Sequence, residues 1–168
     1  AAAILSDRKS KQIPGLRDSK LLTERARERL YEEILEKAVS VAVVEVSSTE
    51  CDALGMHVAD ITALRRAVLR LETPLAFVIT DGFPVDGLGT AGLAMWKGDQ
   101  VAACIAAASI VAKVTRDRIM ASYEADYPGY EFAVHKGYCT PLHQSRLDAL
   151  GPCDIHRMRF ENVRRAAR

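Results

Sequence analysis

Apolar positions along the 168-residue chain change their spacing several times, and each change marks a different element. Residues 1–5, Ala-Ala-Ala-Ile-Leu, read as the end of a strand, and the polar residues 6–12 as a turn. Ile13-Pro14-Gly15-Leu16 then breaks regular structure. Thr23 is placed to N-cap a helix reaching about Ala38, with Glu24 in the first turn and Leu30, Ile34 and Ala38 along one face. The valine-rich residues 39–47 predict a strand buried on at least one face. Ile61, Leu64, Val68 and Leu71 recur at helical spacing and predict a second amphipathic helix. An apolar run over residues 75–80 stops at Asp81-Gly82, as a core strand does where it reaches the edge of a sheet. A loop with Gly82, Gly87, Gly89 and Gly92 leads to a short strand at residues 93–96. Lys97-Gly98-Asp99 then opens a helix whose next dozen residues are almost all small or apolar, a helix expected to be buried on every side against a sheet. From Tyr127 onward the pattern is one of loops and short helices. Strands and helices alternate, which predicts a single α/β domain with helices on both faces of a mixed sheet.

Composition narrows this picture without overturning it. Hydrophobic residues make up 49% of the chain, enough for a core in one domain of ordinary size. With 23 basic and 22 acidic residues the net charge is +1, so any basic surface is local. One candidate is the end of the chain, where Arg157, Arg159, Arg164, Arg165 and Arg168 face only Glu161, although a solvated helix face would read the same way. Cys51, Cys104, Cys139 and Cys153 form no Cys-x-x-Cys pair, which fits a reduced, cytoplasmic protein. No apolar run reaches the ~18 residues that span a bilayer, so no membrane partner is expected. The chain starts Ala-Ala-Ala without an initiator methionine, and is expected to be the remainder of a longer protein.

Several chemistries are poorly served by the residues present. The glycines between Gly82 and Gly92 lack the order of a phosphate-binding loop. His57, His135, His143 and His156 have no zinc-ligand spacing with one another or with cysteine, and there is no Gly-x-Ser-x-Gly elbow. Asp99 alone would serve as an N-cap, and Asp81 before Gly82 as a turn former. Together they bring two carboxylates to one sheet edge with no basic residue between them, a donor set suited to hard divalent cations. Asp117 competes for the second position, but a continuous helix would place it about 27 Å from Asp99, so it reads as an ion-pair residue. Lys113 returns to nearly the face of Asp99, unless it is simply a surface lysine where the apolar run ends. His135-Lys136-Gly137-Tyr138 suits a surface that meets a phosphate and a sugar or base.

In chain order, the motifs are Asp18-Ser19-Lys20, Thr80-Asp81-Gly82, Lys97-Gly98-Asp99, the alanine-rich block closing at Arg118, His135-Lys136-Gly137-Tyr138-Cys139-Thr140, Gly151-Pro152 and His156-Arg157-Met158-Arg159-Phe160. This order resembles bacterial ribonuclease HII over essentially the whole length. The resemblance implies a ribonuclease H-like mixed sheet flanked by helices, with a helical C-terminal extension over about residues 140–168. It implies an endoribonuclease that cuts the RNA strand of RNA/DNA hybrids and single ribonucleotides embedded in duplex DNA, using a pair of Mg²⁺ or Mn²⁺ ions held by four acids; the chain is separately expected to be a monomer. Asp81 and Asp99 match the third and fourth acids, Tyr138 the tyrosine that packs at the ribo-to-deoxyribonucleotide junction, and Lys20 and Lys113 lysines near the substrate phosphates. The family's opening strand with adjacent Asp-Glu, and its Gly-Arg-Gly loop, have no counterpart in these residues. Two aspartates are too few for a two-ion clamp, so the chain itself is expected to cleave little. The alternative is a non-catalytic module that binds RNA/DNA hybrids through Tyr138, the lysines and the arginine-rich end.

Overall fold

The computed structural model describes residues 1–167, so Arg168 of the arginine-rich end lies outside the described residues. The fold is mixed α/β, as expected, and the described residues divide into two compact units, residues 1–45 with 60–114 and residues 46–59 with 115–167.

In the first unit β1 (Ala2–Ile4) pairs antiparallel with β2 (Ser40–Ala42), and α1 (Glu24–Lys37) lies between them in sequence. Thr23 caps α1 as expected, its hydroxyl accepting from the Ala26 N–H at 3.2 Å. Leu30 and Ile34, four residues apart on one face of α1, are almost fully buried and pack with Ala107, Ile110, Val111 and Val114. On the flank of that face Glu33 holds Lys37 at 2.5 Å and Arg29 at 3.5 Å. The expected strand over 39–47 is shorter in the structure, because the carbonyl of Val43 is taken by the Arg70 side chain at 3.1 Å instead of a neighbouring strand.

β3 (Phe77–Asp81) and β4 (Ala91–Met95) run parallel, with Asp81 opposite Met95. Among the described residues the strands form two separate two-stranded sheets, where one mixed sheet was expected. The physical reason is a groove of about 530 Å³ lined by both β1 and β3, across which no backbone ladder runs. The helix α4 (Ala103–Asp126) is correspondingly not buried on every side. Ile105, Ala106, Ala107, Ile110, Val111 and Val114 are buried, whereas Cys104, Ala108, Ser109 and Ala112 line the groove.

The second unit contains α2 (Ser48–Leu54), the start of α3 (Met56–Leu69), the later half of α4, and the short helices α5 (Phe132–His135), α6 (Pro141–Leu150) and α7 (Glu161–Ala166). Thr140 caps α6, with Pro141 in the first turn where its missing N–H costs nothing, and Gly151 at a φ of 74° ends it. Asp52 on α2 accepts the backbone N–H groups of Met158 and Arg159, at 2.6 and 3.1 Å, and fixes the segment that leads into α7. Phe132 and Leu147 are its fully buried apolar side chains.

Candidate functional site

The first unit gathers three aspartates. Asp81 is the last residue of β3, and its Oδ1 accepts the Gly98 N–H at 2.9 Å. Gly98 and Asp99 belong to a 3₁₀ turn, Gly98–Gln100, that precedes α4, so Asp99 is not the cap of that helix. The turn continues into α4 through the Ala102 N–H, which donates to the Gly98 carbonyl at 2.8 Å. Gly98 packs closely, because a Cβ there would stand 2.5 Å from Ile105 Cδ1, so that the Ile105 side chain would have to shift, and 3.4 Å from Asp81 Oδ1. Close packing of the turn against the end of β3 therefore brings Asp99 beside Asp81.

Asp18 completes the cluster, and its part was not assigned from the sequence. It caps a second 3₁₀ turn, Ser19–Leu21, accepting the Lys20 N–H at 2.9 Å. Ser19, buried in that turn, meets Ser109 of α4 at 2.9 Å, and Arg27 of α1 donates to the carbonyls of Ser19 and Leu22. Asp18 and Asp99 are both buried. Burial pushes the Asp99 carboxyl above its ordinary range, and the negative charges of Asp18 and Asp81 push it the same way, while Lys20 opposes them. The Lys20 N–H holds Asp18 below its ordinary range against the effect of burial. Asp18 and Asp99 therefore respond in opposite directions, Asp18 held low and Asp99 pushed up.

The donors are carboxylate oxygens only, and their mutual repulsion is what a hard divalent cation relieves. Among the described residues, however, no three histidine, cysteine or acidic side chains are arranged around a single ion position. Of the two expected lysines, Lys20 reaches the cluster through its charge. Lys113 is half-buried, ten residues into α4 and so about 15 Å along the axis from its first residue.

In the second unit, residues 135–140 form a loop around Tyr138. Its ring is exposed, with the Arg116 guanidinium 5.0 Å from its centroid, and Arg116 also donates to the Lys136 carbonyl at 2.8 Å. His135, expected on the contact surface, is buried beneath the loop instead. Its ring stacks on His143 with 4.2 Å between centroids, and His143 meets His156 at 3.1 Å between their Nε2 atoms. Phe132 and Tyr130 stack at 5.2 Å and close the cluster. Of the arginine-rich end, Arg157 lies 4.6 Å over the Phe160 ring, Arg159 donates to the Ala53 carbonyl, and Arg165 pairs with Glu161. Asp117 pairs with Arg116 at 3.8 Å, as its ion-pair reading expected.

The fold is that of a ribonuclease H-like protein. The solved structure of ribonuclease H2 from Pyrococcus horikoshii OT3 matches with a TM-score of 0.78 at 25% identity, over 91% of this chain and 80% of that one. A ribonuclease HII of Nocardioides sp. is 66% identical over 166 residues, covering 99% of this chain and 69% of the relative. The ribonuclease HII of Cutibacterium acnes is 60% identical over 168 residues, covering 100% of this chain and 82% of the relative. The ribonuclease HII family model matches residues 1–163, and the chain belongs to that family of nuclease hydrolases.

Proposed function

We propose that the chain is the part of an endoribonuclease that recognises RNA/DNA hybrids and single ribonucleotides in duplex DNA, and that Asp81 and Asp99 hold its divalent cation, Mg²⁺ or Mn²⁺. The observation that carries this is the convergence of Asp81 and Asp99, with Asp18 against them, so that burial first and the like charges after it raise the Asp99 carboxyl. A bound divalent cation there would supply a Lewis acid to a phosphodiester and polarise a water. The protein residues orient it: Gly98 lets the turn close on Asp81, and Lys20 sets a positive charge beside the acids for a substrate phosphate. Lys113 is assigned a second phosphate contact. Tyr138 offers an exposed ring for stacking on a sugar or base, which reads sugar type more than base identity. Four free cysteines support a reducing, cytoplasmic setting.

Asp81 and Asp99, even with Asp18 against them, do not surround an ion position as three ligands do, so the 168-residue polypeptide recognises its substrate and cuts it little or not at all. Fluorescence anisotropy with a duplex carrying one ribonucleotide, against an all-DNA duplex of the same sequence, tests recognition, and gel analysis of the same mixtures with Mn²⁺ tests cleavage. Tighter binding of the ribonucleotide duplex with little product is expected. Equal binding of both duplexes would refute the recognition reading, and rapid cutting would refute the account of the incomplete clamp.

A further inference from the structure

The hydrogen bonds beneath the Tyr138 loop constrain where the ring protons sit. His135 Nε2 lies 2.7 Å from the Tyr130 carbonyl, which can only accept, so Nε2 carries the hydrogen. Its Nδ1 is then a lone pair, and it accepts the Gly137 N–H at 3.0 Å. His143 Nδ1 lies 3.0 Å from the Tyr138 carbonyl and must donate to it, which leaves His143 Nε2 an acceptor. His156 Nε2, 3.1 Å away, then donates, while its Nδ1 accepts the Cys153 N–H at 3.0 Å and also lies 3.1 Å from the Cys153 Sγ and 3.3 Å from the Cys153 carbonyl. In this arrangement His143 carries its hydrogen at Nδ1 and His135 and His156 carry theirs at Nε2. The opposite tautomer at His156 would put two lone pairs face to face, or force His143 to become a cation next to the stacked His135.

The loop above needs such support. Lys136 has a φ of 50°, a left-handed conformation that costs a side-chain-bearing residue energy, and Gly137 follows at 75°. The Tyr138 N–H donates to the His135 carbonyl at 2.9 Å, and the Tyr138 carbonyl takes both His143 Nδ1 and the Thr140 N–H. Burial favours the neutral rings of His143 and His156, consistent with the assignment. The titratable and charged groups facing the His143–His156 pair are His135, Tyr130 and Cys153, with Arg116 across the Tyr138 ring.

We propose that His143 is a positioning residue for Tyr138, and that the ordered chain Cys153 N–H to His156 to His143 to the Tyr138 carbonyl holds the tyrosine in the pose that reads a ribonucleotide. The part played by Tyr138 rests on the function proposed above, whereas the ordered chain stands on the hydrogen bonds alone.

Two substitutions at one position separate positioning from folding. In His143→Asn the side-chain amide can take the place of Nδ1–H and still donate to the Tyr138 carbonyl, while in His143→Gln it can take only the place of Nε2. Hydrogen exchange of the Gly137 and Tyr138 amides in the full chain should quicken about tenfold or more in His143→Gln, and stay within about threefold in His143→Asn. Nitrogen-15 spectra of the imidazoles in the unaltered chain should show Nδ1–H at His143 and Nε2–H at His135 and His156. A different tautomer at His143, or equal exchange in the two variants, would overturn the proposal. The preference for a ribonucleotide-containing over an all-DNA duplex should fall in His143→Gln as far as in Tyr138→Ala, and survive in His143→Asn. If Tyr138→Ala leaves that preference intact, the substrate role of Tyr138 is refuted, while exchange and tautomers still decide whether His143 positions the loop.

Discussion

Acidification should unfold this protein by way of His156. The ring is buried, and burial, with the positive charge His143 would carry adding to it, pushes its pKa from 6.5 down to about 4. In the unfolded chain the same ring takes its proton near pH 6.5, so below that pH the unfolded state binds more protons than the native one. The contribution is therefore complete above pH 6.5 and is lost as the pH falls toward 4. Between pH 7.5 and 5 the linkage amounts to about 2 kcal/mol, rising to about 3 kcal/mol at pH 4. His143 shifts in the same direction and adds to the loss. Urea unfolding followed by far-ultraviolet circular dichroism, at several values between pH 7.5 and 5, measures the loss directly. His156→Gln is the comparison, because its amide can donate to His143 without titrating, and the carboxylates that titrate in both proteins cancel in the difference. The unaltered chain should lose about 2 kcal/mol more than His156→Gln over that range. Parallel pH profiles for the two proteins would refute the neutral, buried histidine.

Other substitutions test the remaining parts of the account. Gly98→Ala forces a Cβ against Ile105 and Asp81, and should cost about 1–3 kcal/mol in urea unfolding while weakening Mn²⁺ binding. Ile34→Ala, at a fully buried position of α1, should cost about 2–5 kcal/mol and leave the Tyr138 amide exchange unchanged. Replacing the exposed Arg164 and Arg165 with Ala should weaken both duplexes alike and flatten the salt dependence of binding measured by anisotropy, as phosphate contacts do.

Local signals in the sequence carried far where local chemistry decides structure. Thr23 as the cap of α1, the strand ending at Asp81, and the small-residue helix after Asp99 all follow from spacing and side-chain type. What the spacing could not show is set by tertiary contact. Asp18 stood in a motif beside Lys20, but only the turn locked by Ser19 and Arg27 aims it at Asp99. The three histidines were tested for metal spacing and failed, whereas they are joined by stacking and by hydrogen bonds between α5, α6 and the segment before α7. The helix α4 read as buried all round because alanine and cysteine suit a core. Those small residues also line an open groove equally well.

The central claim is that Asp81 and Asp99 form one divalent-cation site, and Mn²⁺ titration of the 168-residue chain, followed by electron paramagnetic resonance, tests it most directly. Saturable binding is predicted, weakened about tenfold or more by Asp81→Asn and by Asp99→Asn taken singly, and weakened little further when the two are combined, since both remove the same site. Binding that survives both substitutions, or losses that simply multiply in the double variant, would contradict a shared site.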